Sequence, residues 1–161
     1  MSLHIKAEDV PVRRVAWTDE KFGAGEMAVR MVHGKDASMM VAVRQPGYHT
    51  RPHQHDSEQI NHILEGEIWF FVGEQGYHCK QGDFQRIPRN AIHWAWNRSG
   101  QPATVVELHS PPLIGGSIRE GAAGLMAEGE SPEVEVVAEN EFVPYDAASV
   151  EARYPLPAAV R

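Results

Sequence analysis

The chain has 161 residues, 42% hydrophobic and 23% charged, which fits one globular domain and leaves little room for a second core. Its 22 acidic and 15 basic residues give a formal charge of -7 with no dense Lys/Arg run, which argues against a nucleic-acid or membrane partner and for a small-molecule ligand. The single cysteine, Cys79, excludes an intrachain disulfide, and no apolar run approaches the roughly 18 residues of a membrane span, so the expected location is cytoplasmic.

In chain order, residues 1–33 are expected to supply N-terminal strands. Short apolar runs then recur and predict strands at 27–32, 38–43, 59–64, 68–72, 84–87, 92–96 and 104–108. Gly47, Gly66, Gly73, Gly76, Gly82 and Gly100 fall in the gaps, where a residue tolerant of positive φ lets the chain reverse. The pattern is that of an all-β sandwich or barrel. Beyond Pro111-Pro112 the composition turns to Gly, Ala and Glu, with short helices expected at 117–128 and 147–154. Residues 1–115 therefore read as a barrel and 116–161 as a C-terminal extension that wraps the surface, forms a lid or reaches a neighbouring subunit.

Within the strand-rich part, His53 and His55 are two residues apart, a spacing that puts both rings on one face of an extended chain. A third histidine, His93, opens the strand at 92–96 after a Pro88-Arg-Asn90 turn. Gln59 shares their region, and Glu58 beside it competes for any fourth ligand position, since a carboxylate binds hard cations better than an amide does.

These residues resemble the two motifs of the cupin superfamily. The first motif is matched at Gly47, His53, His55 and Gly66, with Gln59 where Glu is common. The second is matched at Gly82, Pro88, His93 and Asn97, with Asn90 in place of an inner Gly; Asn also tolerates a left-handed turn. The resemblance covers residues 38 to 113 and implies a double-stranded β-helix, or jelly-roll, holding one divalent transition metal ion (Zn, Ni, Fe, Mn or Cu) through His53, His55, Gln59 and His93. The 15 residues between Gly66 and Gly82 are similar to the spacing in compact bacterial single-domain cupins, which implies a homodimer built on N-terminal strands, with the Trp69-Phe70-Phe71 run and Trp94/Trp96 as core and interface aromatics. His-x-His followed by Glu-Gln also resembles the cupin of pectin breakdown that opens unsaturated uronates, where the Gln is a ligand.

Gln59 changes the electrostatics of such a site. Three neutral imidazoles and a neutral amide leave the charge of a divalent ion uncompensated, which favours anionic, oxygen-donating ligands. Parity gives His49, Arg51 and Asn61 as substrate-binding candidates, Arg51 as a receiver for a carboxylate, and turns His62 away. No catalytic residue is assigned. Three functions remain open: Lewis-acid isomerase or lyase chemistry, an Fe(II)-dependent dioxygenase, and a non-catalytic small-molecule-binding barrel, the last not as a one-component regulator because no DNA-binding segment is legible.

Overall fold

A computed structural model describes residues 2–114, 121–130 and 140–156. Among them, two antiparallel sheets face each other and form the jelly-roll. One contains β1 (Arg13–Asp19), β2 (Gly23–His33), β3 (Ser38–Arg44), β10 (Ala103–Ser110), β5 (Glu58–Glu65) and β8 (Phe84–Ile87), hydrogen-bonded in that order. The other runs β12 (Glu141–Phe142), β4 (His53–Gln54), β9 (His93–Trp96), β6 (Glu67–Val72) and β7 (Gln75–Lys80).

Alternation fixes the inner face. In β2, Met27, Val29 and Met31 are buried between more exposed neighbours, and in β10 Ala103, Val105, Glu107 and His109 turn inward. Val29, Ala42, Ile63, Ile68, Phe70 and Val105 are among the side chains packed between the sheets. Gly66 makes the β5–β6 turn at φ +74, and a Cβ there would stand 2.5 Å from the Pro102 carbonyl oxygen, so only glycine fits. Asn90 adopts φ 58, the left-handed turn expected of it.

The predicted strands are present, several of them longer than their apolar runs, because hydrogen-bonded pairing continues past the apolar positions. β7, with its polar Gln75–Lys80 sequence, is an addition: its pairing with β6 outweighs its composition. The helix expected at 117–128 is corrected where the structure describes it. Ala122–Gly124 form β11, which pairs in parallel with Met31–His33 of β2, so sheet pairing overrides the helical preference of alanine; 117–120 lie outside the described residues. The second helix exists but is short, α1 (Ala147–Glu151), N-capped by Asp146.

The extension also packs on the aromatic face, where core residues are expected. Phe71 and Trp94 are fully buried against Ala147 and Val150 of α1, with Tyr145 and Tyr154 packed beside them. Glu151 accepts hydrogen bonds from Trp94 Nε1 at 2.8 Å and lies 2.8 Å from His49 Nε2. The chain's own helix covers Phe71 and Trp94, while Trp69 and Trp96 of the same face are partly buried. No helix among the described residues is long and apolar enough to cross a membrane.

Candidate metal centre

β4 and β9 pair with His53 opposite His93, and His55 follows two residues after His53. The His93 ring centroid lies 4.2 Å from that of His53 and 4.8 Å from that of His55. One nitrogen from each of the three rings falls within 4.8 Å of the others.

Backbone carbonyls fix which nitrogen that is. His53 Nδ1 lies 2.8 Å from Arg51 O, His55 Nδ1 2.9 Å from Ser57 O and His93 Nδ1 2.9 Å from Ala91 O. A carbonyl oxygen only accepts, so each Nδ1 carries the hydrogen and Nε2 is the nitrogen that can offer a lone pair. Burial keeps the His53 and His93 rings neutral, driving the His53 pKa from 6.5 to about 4 and the His93 pKa well below its ordinary value. His93 Nε2 is buried and has no hydrogen-bond partner.

A fourth lone pair comes from Gln59 on β5. Its Nε2 donates to Asn61 Oδ1 at 2.8 Å, Asn61 Nδ2 donates to Gln85 Oε1 at 2.7 Å, and Gln85 Nε2 donates to Arg86 O at 2.8 Å. The series ends on a backbone carbonyl, so its direction cannot be reversed, and Gln59 Oε1 is left facing His55 Nε2 at 3.3 Å. Two acceptors at that distance call for a cation between them. Donors each about 2.1 Å from one ion stand roughly 3.0–3.4 Å apart at octahedral or tetrahedral angles, so His55 and Gln59 have the spacing of two ligands of one divalent ion.

The other candidates separate cleanly. Glu58 points to the outer face, where Arg86 Nε donates to it at 2.8 Å. Arg51 stands at the cavity rim, 3.6 Å from Asp19 and with its guanidinium 4.6 Å from the Phe142 ring centroid. His49 does not line the cavity: it stacks on Trp96 with centroids 4.3 Å apart, because the chain at 48–50 pairs with β9 and turns that ring outward toward α1. Asn61 is behind Gln59 rather than on the cavity wall. His62 faces away, stacked on Phe84.

The cavity measures about 610 Å³ and reaches from Arg51 and Phe142 at the mouth, past the histidines, to Arg44, Tyr48 and Glu107. His109 also lines it, its ring centroid 5.4 Å from that of His55 and its pKa lowered by burial to about 3. Sequence reading missed Arg44, Glu107 and His109. A signal exists for two of them: Glu107 shares parity with Val105 in the strand predicted at 104–108, and His109 continues that parity one residue beyond its end.

Residues 40–109 match the cupin domain family. The chain is 27% identical over 96 residues to the HTH-type transcriptional regulator PuuR of Escherichia coli (strain K12), covering 56% of this chain and spanning about half, 52%, of that relative. Among solved structures, an RmlC-like cupin from Shewanella frigidimarina aligns with a TM-score of 0.53 at 18% identity, covering 66% of this chain and 88% of the other. A sugar phosphate isomerase of the cupin superfamily from Silicibacter pomeroyi aligns with a TM-score of 0.53 at 13% identity, covering 66% and 74%. KdgF from Halomonas sp. does so with a TM-score of 0.50 at 20% identity, covering 60% and 86%. At these identities the structural likeness establishes the jelly-roll fold.

Proposed function

We propose that the chain, whose residues 40–109 match the cupin domain family, is an enzyme holding one divalent transition metal ion, Zn, Ni, Fe, Mn or Cu, through His53, His55, Gln59 and His93. Its reaction is of the isomerase or lyase type on a small, anionic, oxygen-rich molecule. The observation that carries the reading is the convergence of three Nε2 lone pairs and one amide oxygen with no negative charge among them.

An ion bound there supplies Lewis acidity toward a substrate oxygen, undiminished by any carboxylate ligand. The chain's own residues do the rest. Arg51 at the rim offers a guanidinium to an incoming anion, Phe142 and Asn140 narrow the mouth, and Met27, Met31 and Met40 give the molecule an apolar wall. Elemental analysis tests the ligand set: one ion per chain is expected in the parent, with a sharp loss in His53→Ala and His93→Ala and an unchanged far-UV spectrum. Full metal content in both variants would remove the assignment.

The likeness to PuuR supports a second reading, a barrel that binds a small molecule without turning it over. A ligand retained through purification and recovered unaltered after incubation would favour it.

We further read residues 1–115 as the barrel and 116–161 as its extension. The protein is placed in the cytoplasm, which its free, buried Cys79 supports. A homodimer is supported by Met39, Val41, Ile60, Leu64 and Phe84, which leave an exposed apolar face on the larger sheet.

A further inference from the structure

Inward of the histidines the cavity ends on a buried ion pair. Arg44, the last residue of β3, donates through Nη2 to Glu107 Oε1 of β10, and the two residues are 1% and 4% exposed. Tyr48 also meets the guanidinium, its ring centroid 5.1 Å from Cζ, yet Nε and Nη1 are buried without a hydrogen-bond partner. Each is a donor removed from water with no acceptor in return, which native interiors seldom keep unless something else occupies the space. Losing the proton is no escape. Burial opposes the charge on Arg44, but the Glu107 carboxylate and the Tyr48 hydroxyl beside it prevail and the pKa is raised.

Charge accounting points the same way and rests on the metal centre proposed above. Arg44 and Glu107 cancel, as do Arg51 and Asp19 at the rim, and the four metal ligands are neutral. The two positive charges of the ion are then the net charge of the cavity, and a dianion balances them. Distance sets the size of that dianion. His109 pairs with Gln59, and Glu107 lies two residues further along β10, a rise of about 7 Å. Met27, Met31 and Met40 line the same cavity and suit a short hydrocarbon chain.

We propose that the inner end of the cavity is a carboxylate seat formed by Arg44. The ligand class is then a small diacid, or a keto- or hydroxy-diacid, with one oxygen-bearing end at the histidines and Gln59 and a carboxylate on Arg44. Glu107 is a positioning residue that holds the guanidinium in place.

The test is calorimetric titration of the zinc-loaded protein with malonate, succinate, glutarate and adipate, each beside the monoacid of equal length from propionate to hexanoate. At least one diacid is expected to bind roughly tenfold or more tightly than its monoacid, the size of a hydrogen bond to a charged group. In Arg44→Met/Glu107→Leu, which leaves neither charge buried alone, that preference disappears while zinc content is kept. Arg44→Lys, which retains the partner for Glu107 but lacks the free Nε and Nη1 donors, also reduces it. The proposal is overturned if no diacid is preferred at any length, or if the preference survives in both variants. The same titrations without zinc separate the two readings. A preference that depends on Arg44 but not on zinc would contradict the metal centre and leave the carboxylate seat standing.

Discussion

Gln59 gives its amide nitrogen to Asn61 Oδ1 at 2.8 Å, and that bond keeps its carbonyl oxygen turned toward His55. Asn61 is held in turn by Gln85, and Gln85 by the Arg86 carbonyl, so three buried amides transmit the polarity of one backbone oxygen to the metal side of the cavity. Supporting residues of this kind orient metal ligands at the cost of no charge.

Asn61→Leu removes the acceptor and frees Gln59 to present its NH2 group instead. Metal affinity is expected to fall about 10–100-fold by zinc titration, the usual scale for losing a partner of a ligand. Asn61→Asp still accepts from Gln59 and should retain most of the affinity. Equal affinity in the parent and Asn61→Leu would show that the amide series does not orient the ligand.

Gln59→Glu places a negative charge against the ion in a nearly isosteric side chain. Metal should bind more tightly, and a carboxylate probe such as acetate more weakly, because the effective charge at the open position falls. Glu58→Ala should change neither, since its carboxylate pairs with Arg86 on the outer face. A large loss of metal in Glu58→Ala with no change in Gln59→Glu would reverse the ligand assignment.

The clustering of these side chains is legible where the spacing is local. His53, His55 and Gln59 lie within seven residues, and strand parity already turned His62 outward. What escaped depends on register between distant strands. Arg44 meets Glu107 across 63 positions because β3 pairs with β10, and Arg44 falls one residue beyond the strand its apolar neighbours predict. His49 was given an inward face by counting from His53, but no regular strand joins them, so parity is lost between the two. Residues 122–124 show the other limit: an Ala-rich segment takes the conformation its neighbour β2 offers.

Buried neutral histidines make the metal-free protein sensitive to acid. The folded pKa values of His53 and His109, about 4 and about 3, lie below the ordinary histidine value of 6.5, because burial disfavours the charged ring. The unfolded chain therefore binds protons that the folded chain refuses as pH falls below 6.5. Their contribution to stability is full above that point and is lost on the way down through about pH 4 and then about pH 3. Within that window each histidine can shift the folding equilibrium up to about tenfold per pH unit. Urea denaturation of metal-free protein between neutral pH and pH 4.5 should show this slope, and His109→Phe should flatten it. A pH-independent midpoint in the parent would mean that the folded chain takes up protons on these rings as readily as the unfolded chain does.

The most direct measurement is a crystal grown with zinc and recorded on both sides of the zinc absorption edge. One anomalous peak per chain is expected, about 2.0–2.2 Å from the Nε2 atoms of His53, His55 and His93 and from Gln59 Oε1. A peak bound through any Nδ1, a peak from which Gln59 has turned away, or no peak at the three histidines would contradict the centre described above.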